Sequence, residues 1–373
     1  MNRRAFISAC GTAAAALTIP GIASAAPAAT QKWRGVNLGG WLALEKWITP
    51  SIYAGVKAED EYTLCSELGK AAAEVRLRHH REKWITEEDF KWIAARGMNA
   101  VRLPIGYGIL EENPPFVTGA DVLDHAFKLA KAHGLSVLLD LHGAPGSQNG
   151  FDHSGRAGNL GWHTSTQNVD HTIRIIENLA SFVKKYDNLI ALELLNEPRW
   201  DVPMDILKKY YEDAYTAARK HLSAETVSIV IHDGFRATEW AGFMPPAKYS
   251  NVILDTHLYQ CYTEEDRKND ANAHVHIAAI DLRKQLDKMQ KEALPAIVGE
   301  WSCSLDPHSL TGLTGFARDA AIRAYADAQL LTYETTRGWF YWTYKIADGG
   351  TWSFRDCVKR GWMPDKYGDN GLV

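Results

Sequence analysis

The feature that most limits what this chain can become is the segment Ala191-Leu192-Glu193-Leu194-Leu195-Asn196-Glu197-Pro198. A near-continuous apolar run suits a strand covered on both faces, as in a parallel sheet flanked by helices, and a proline, which cannot donate to a ladder, marks its exit. Asn196 and Glu197 therefore fall at a strand's carboxyl end. Further along, Pro295-Ala296-Ile297-Val298-Gly299-Glu300-Trp301 has the same grammar. Two carboxylates at the tips of two parallel strands can face each other across one mouth. Glycoside cleavage needs such a pair, one carboxyl group to protonate the leaving oxygen and another to attack or to activate water. A single strand-end Glu is commonly a solvated loop residue or an ion-pair partner. The matched contexts, with Asn196 before one and Trp301 after the other, favour catalysis.

Strand-like stretches recur at 34–38, 100–105, 136–142, 191–197, 227–232, 252–259, 296–301 and 339–344, with helical patterns between them at 87–96, 120–133, 169–185, 204–221, 277–291 and 316–335. Strands alternating with helices to a count of eight predict an α/β fold, a single-domain (β/α)8 TIM barrel. One such barrel accommodates a chain of 373 residues. Gly97 and Gly134 each stand between a helical pattern and a strand, as helix C-caps do.

Composition narrows the partners. The formal charge is -4 and no basic tract occurs, so neither nucleic acid nor a membrane surface is an expected partner, and a monomer is expected. Thirteen Trp and fifteen Tyr suit carbohydrate, whose apolar ring faces stack on aromatic faces. At the start, Arg3-Arg4, the mildly apolar run 13–19 and Ala23-Ser24-Ala25 predict a twin-arginine-type signal peptide over 1–26 and export, with the catalytic domain at 27–373. Cys10 precedes the apolar run, which argues against a lipoprotein. No later segment reaches the about 18 apolar residues of a membrane span. Cys65, Cys261, Cys303 and Cys357 remain, all after predicted strands, and disulfides bracing the loops of one barrel face are an expectation whose pairing stays open. No C-x-x-C occurs, and His274-x-His276 reads as a solvated helix start, so no metal and no cofactor are expected.

Catalytic groups in this fold come from strand carboxyl ends. Those ends carry Asn37, Arg102, Asp140, His142, Asn196, Glu197, His232, Asp233, Asp255, His257, Tyr259, Glu300, Trp342 and Tyr344. For a retaining mechanism Glu197 is the general acid/base and Glu300 the nucleophile. The acid needs a neighbouring negative charge or an apolar wall to keep its proton; the nucleophile needs a cation and donors, for which Arg102 and Tyr259 are the candidates. Asn196 is placed to donate to the sugar 2-hydroxyl, His142 and His257 to bind hydroxyls or orient carboxylates, and Trp342 to form the platform under the cleaved sugar.

These residues sit in longer segments that resemble glycoside hydrolase family 5, and within it the exo-β-1,3-glucanase branch. The segments are Arg34-Gly35-Val36-Asn37-Leu38-Gly39-Gly40-Trp41 with Glu45 beyond, Val101-Arg102-Leu103-Pro104-Ile105-Gly106-Tyr107, and the run from Asp140-Leu141-His142 to Gln148-Asn149-Gly150-Phe151. Leu195-Asn196-Glu197-Pro198, Asp255-Thr256-His257-Leu258-Tyr259, Val298-Gly299-Glu300 and Gly338-Trp339-Phe340-Tyr341-Trp342-Thr343-Tyr344-Lys345 follow in order. The resemblance implies a metal-free retaining β-glycosidase acting on a β-glucan or β-glucoside, with Glu197 and Glu300 in the roles given above. It also implies that Glu45 binds the terminal glucose in a closed pocket, and that two rings, here Phe151 and Tyr262, flank its entrance.

The chain departs from the pattern in three places. His153 replaces an Asn that contacts the terminal sugar, Tyr262 replaces a Phe, and Gly108 replaces an aromatic residue. The loss of a ring at Gly108 predicts open space beside the pocket and room for a longer glycone. Three enzymes fit these residues: an exo-acting β-1,3-glucanase or β-glucosidase, an endo-β-glucanase, and a diglycosidase. A carbohydrate-binding protein on a degenerate barrel would have lost one of Glu197, Glu300 or Arg102, and all are present. No Gly-x-Ser-x-Gly elbow supports a serine hydrolase.

Overall fold

The computed structural model describes residues 31–368, so the predicted signal at 1–26, with Arg3, Arg4 and Cys10, lies outside the described residues. Eight strands, β1 (Trp33–Asn37), β2 (Ala100–Ile105), β3 (Ser136–Leu141), β4 (Leu189–Glu193), β5 (Ser228–His232), β6 (Val252–Gln260), β7 (Ala296–Leu305) and β8 (Gly338–Tyr341), close into a barrel in sequence order. Every pair is parallel, and β8 returns to β1 with Trp33 opposite Gly338. This is the single-domain (β/α)8 architecture that the alternation predicts.

The two-residue stride of a strand sorts the side chains. Outward residues such as Val101, Leu103, Leu139, Leu192, Ile229 and Val298 pack under the surrounding helices. Inward residues Ala100, Leu138, Ala191, Val230, Ile253, Ile297 and Phe340 join Trp33 in an apolar plug inside the barrel. One stride further along β2, β3, β4 and β6 the inward positions become Arg102, Asp140, Glu193 and Asp255, all fully buried. The plug thus carries a charged layer on its C-terminal side, and the site stands on that layer.

Helix ends follow expectation at Gly97. Its φ of 78° is in the left-handed region, and a Cβ there would meet the Tyr367 carbonyl at 1.6 Å. The helix Glu87–Ala94 therefore stops, and β2 begins at Ala100.

Three features differ from the sequence reading. β4 ends at Glu193 rather than at residue 197, because the chain turns at Glu197, whose φ is 43°, and Pro198 follows. β7 runs on to Leu305, with its register to β8 shifting between Val298 and Trp301, so Glu300 sits at an irregularity that re-aims its side chain. Between β1 and β2 the chain also forms the helices Glu61–Leu68 and Lys70–Lys83, which are not among the helical patterns read from the sequence.

The expected disulfides are absent: Cys65, Cys261, Cys303 and Cys357 are free thiols. Cys65 lies in the helix Glu61–Leu68, packed with Leu64 and Leu77 in a separate cluster. Cys303 is within β7 and Cys357 within the helix Phe354–Lys359, so the four do not gather in loops on one face.

Candidate active site

Arg102 is the post on which the site is built. It is fully buried, and its guanidinium reaches four neighbouring strands or their exits. Nε donates to Glu193 Oε2 at 2.8 Å, Nη1 to Asn37 Oδ1 and to Glu300 Oε1 at 2.9 Å each, and Nη2 to Asn196 Oδ1 at 2.8 Å, with Asp140 Oδ2 at 3.1 Å. Such charge-assisted bonds fix direction as well as distance. They also fix the Asn196 amide: its Oδ1 is occupied, and its Nδ2 is buried with no partner.

In the sequence Glu193 reads only as part of an apolar strand. A carboxylate inside such a strand, on the same face as an arginine two strands away, is the signal that could have found it. Burial, against Arg102 and with the help of Asp140, holds its carboxyl well above the usual range.

Glu300 receives a second donor. Tyr259 Oη donates to Glu300 Oε2 at 2.9 Å, as expected from the sequence. Behind it, Gly299 N–H donates to Asp255 Oδ1 at 2.6 Å, and a Cβ on Gly299 would lie 1.9 Å from the other oxygen of that carboxylate, so no larger residue fits.

Glu197 is held differently. Its turn is clamped from the loop after β3, where Gln148 Nε2 donates to the Asn196 carbonyl at 2.9 Å and Asn149 Nδ2 to the Glu197 carbonyl at 3.1 Å. These bonds hold a non-glycine residue in a conformation it rarely adopts. Its carboxylate meets two imidazoles. His257 Nδ1 lies 2.6 Å from Oε1, and His153 Nε2 lies 3.3 Å from Oε2. The same His257 nitrogen stands 3.5 Å from Glu300 Oε2, while His257 Nε2 is 3.5 Å from Asp255.

The electrostatics depart from expectation. Burial raises Glu197, but the bonds from His153 and His257 outweigh it and hold the carboxyl well below its ordinary value. Burial and the Glu197 charge push Glu300 up to about 7, against the pull of His257 and Arg102. The protons therefore rest on the imidazoles and not on Glu197. Moving one of them to Glu197 removes the negative charge that raises Glu300, so the two carboxyls change state together.

Ten of the twelve site residues expected from sequence line one cavity of about 770 Å³: Glu45, His142, Phe151, His153, Glu197, His257, Tyr259, Tyr262, Glu300 and Trp342. Arg102 and Asn196 are not part of that lining; they support it through Glu300 and through each other. Trp342 stacks on His142 at 5.5 Å and 2°. Burial lowers His142 to about 4, although Asp140 accepts from its Nδ1 at 2.7 Å, so its Nε2 is an acceptor in the neutral ring. Glu45 is buried, with Oε2 accepting from Trp47 Nε1 at 2.8 Å and Oε1 unpaired. Burial lifts it to about 8.

The lining also includes Trp47, Asp152, Trp200, Phe235, Thr263 and Asp266, which sequence reasoning missed. Trp47, Trp200, Phe235 and Thr263 lie on loops beyond the strand tips, Asp152 opens a 3-10 turn and Asp266 lies in the short helix Glu264–Lys268; an exposed Trp in a loop carries no signal of which mouth it faces. Gly108, conversely, does not line the cavity. Phe116 fills the expected space: its Cβ lies 2.8 Å from where a Gly108 Cβ would be, and its ring packs edge-on to Tyr107 at 4.8 Å. The expectation of room for a longer glycone there is overturned.

Two trios could offer metal donors among the described residues, Glu197 with His232 and His257, and Glu193 with Asp255 and His257. His232 Nδ1 accepts from Gly234 N–H at 2.9 Å, while His232 Nε2, His257 Nε2, Asp255 Oδ2 and Glu193 Oε1 are buried without a hydrogen-bond partner. The donor set suits proton exchange between carboxylates and imidazoles. No described helix is long and apolar enough to cross a membrane.

Comparison with known proteins places these features in context. The profile of Cellulase (glycosyl hydrolase family 5) matches residues 66–348. A glucan 1,3-beta-glucosidase of Blumeria graminis is 39% identical, over 90% of this chain and 87% of its own length. A probable glucan 1,3-beta-glucosidase A of Emericella nidulans is 38% identical, over 93% and 94%. Among solved structures, the rutinosidase from Aspergillus niger superposes with a TM-score of 0.76 at 22% identity, covering 89% of this chain and 98% of that one. Endoglucanase Cel5A from Thermotoga maritima gives 0.58 at 17% identity, covering 89% and 95%. At these identities the two structures speak to the fold alone.

Proposed function

The chain belongs to glycosyl hydrolase family 5 and is a glycoside hydrolase, and from that premise we propose that it releases terminal glucose from β-1,3-glucans or related β-glucosides with retention of configuration. The observation that carries the stereochemical part is the position of His257 Nδ1, 2.6 Å from one carboxylate and 3.5 Å from the other. Two oxygens that share one nitrogen so closely favour the about 5–5.5 Å spacing of a retaining pair over the about 6.5–9.5 Å that leaves room for water in an inverting enzyme. The substrate class is supported by the two relatives described above, each named for glucan 1,3-beta-glucosidase activity.

In this reading Glu300 attacks the anomeric carbon while Glu197 passes a proton to the leaving oxygen. A glycosyl ester on Glu300 results, and water, deprotonated by Glu197, then releases it. Arg102 and Tyr259 keep the Glu300 carboxylate ionised and aimed. The free Nδ2 of Asn196 donates to the 2-hydroxyl, Glu45 Oε1 accepts from sugar hydroxyls, and His142 does the same through Nε2. Trp342 underlies the sugar, and Phe151 and Tyr262 hold the leaving group. Residues 1–26 direct export by the twin-arginine route, supported by Arg3-Arg4 and the small residues at 23–25, and 27–373 form the catalytic domain. The enzyme acts as a monomer, without metal, cofactor or nucleic acid.

Products from laminarin and from a panel of aryl β-glycosides, with Glu300→Gln in parallel, test this. Glucose from the first time points, abolished in the variant, is the expected result. Oligosaccharides or an intact disaccharide appearing first would replace the chain-end reading by an endo-acting or disaccharide-releasing one.

A further inference from the structure

Two imidazoles meet Glu197, His257 from β6 and His153 from the loop after β3. His153 is firmly built in. It belongs to the 3-10 turn Asp152–Ser154, closed by the Ser154 hydroxyl, which meets the Ser147 hydroxyl at 2.6 Å and donates to the Phe151 carbonyl at 2.7 Å. Its ring packs against His142 at 5.0 Å and Phe151 at 5.5 Å, and its Nδ1 is buried without a partner. Nε2 forms an ion pair with the carboxylate of Glu197 at 3.3 Å.

The charged and titratable groups around it come from several elements. Glu45 arrives from the loop after β1, His142 from the end of β3, Glu197 from the turn after β4, Glu300 from β7 and Asp152 from its own turn. Burial drives a proton off His153, but the bond and charge of Glu197, with the charges of Glu45 and Asp152, outweigh it and push the imidazole up to about 9. Glu197 is held ionised by His153 together with His257 from β6, whose Nδ1 lies 2.6 Å from the other carboxylate oxygen. A general acid that is ionised at rest needs its proton stored within reach.

We propose that His153 is a proton-sharing partner of Glu197, so that the proton delivered to the leaving oxygen is held in common across the Nε2–Oε2 contact and rests on the imidazole until the glycosidic bond breaks. The inference depends on Glu197 being the acid/base. In the first step a Glu300 oxygen bonds to the anomeric carbon, and the bond from that carbon to the leaving oxygen breaks with its electron pair on the oxygen. Glu197 passes that oxygen one proton, taken from His153 Nε2, which is left neutral. In the second step water bonds to the anomeric carbon, the ester bond breaks with its electron pair on Glu300, and the water proton returns through Glu197 to His153. His153 acts through Glu197 and is a positioning residue.

The test is the pH profile of kcat/KM for His153→Asn beside the unaltered enzyme, on phenyl and dinitrophenyl β-glucosides. The phenolate of the first needs a proton to leave; that of the second does not. With sharing, the alkaline limb on the phenyl glucoside follows the pair, so removing the imidazole moves that limb to lower pH, by about one unit or more. The loss is also larger on the phenyl than on the dinitrophenyl substrate. An unchanged limb with only a raised KM makes His153 a sugar contact and overturns the proposal. A limb moving to higher pH makes it a fixed charge and overturns it equally. His153→Gln, read in the same way, serves if the Asn variant does not fold. Absence of turnover by the unaltered enzyme on either glucoside overturns the functional reading itself, and this inference with it.

Discussion

Arg102 Nη1 lies 2.9 Å from Glu300 Oε1, joining residues 198 positions apart through the floor of the cavity. The same guanidinium neutralises Asp140 and bonds Glu193, all three fully buried. Removing one partner of a buried ion network leaves the others uncompensated, at a cost of about 3–5 kcal/mol. Arg102→Met is expected to lose that much in urea denaturation. Glu193, held neutral by burial, is already the electronic equivalent of an amide. Glu193→Gln should cost under about 1.5 kcal/mol in the same experiment. Equal losses for both would mean that Glu193 is charged.

Glu45 gives a pH dependence with a definite sign. Its ordinary value of 4.5 is raised in the fold to about 8, chiefly by burial, so the folded state holds an extra proton between those limits. Its contribution to stability is full below pH 4.5 and is lost as pH rises through 8. Glu45→Gln is therefore expected to melt higher than the unaltered protein above pH 8, by the equivalent of on the order of 1–4 kcal/mol, and to match it near about pH 4. Melting curves at both ends of the range decide it. The variant also raises KM, because the unpaired Oε1 acceptor becomes a donor or is turned away.

Tyr259 tests the support of Glu300. Its hydroxyl donates to Glu300 Oε2 at 2.9 Å, and a hydrogen bond to an ionised carboxylate contributes about 1.5–3 kcal/mol. Tyr259→Phe removes it without opening a large space. kcat/KM on aryl glucosides should fall about 10- to 100-fold. The acidic limb of the profile should move to higher pH, since a carboxylate that loses a donor binds its proton more tightly. A fall with an unmoved limb would assign Tyr259 to the sugar instead.

Gly108 is a packing position. A methyl group there would meet Phe116 Cβ at 2.8 Å, so Gly108→Ala should destabilise the fold by about 1–3 kcal/mol while leaving the product pattern from laminarin unchanged. Altered products would return Gly108 to the pocket.

Much of this architecture is legible in the amino-acid sequence. The apolar runs and their spacing specify eight strands and the barrel they make, because a parallel strand must be buried on both faces wherever it lies. The carboxyl-end positions of Asn196, Glu197, His257, Tyr259 and Glu300 follow from the same pattern, and ten of the expected residues share one cavity. Loops are less legible. Trp200, Phe235 and Trp47 reach the pocket from segments with no periodicity, and Phe116 fills the space left by Gly108 from eight positions away in a turn that no local rule places.

What the sequence determined by itself was the barrel and the pair of glutamates at its mouth, since both rest on local patterns of apolar and polar residues. The tertiary structure alone decided the state of those glutamates. Protonation depends on charges within a few ångströms, and the groups that set it come together from across the chain: Arg102 and Tyr259 on Glu300, His153 and His257 on Glu197. The sequence pointed to a proton on Glu197. The fold puts two imidazoles against it and moves that proton next door.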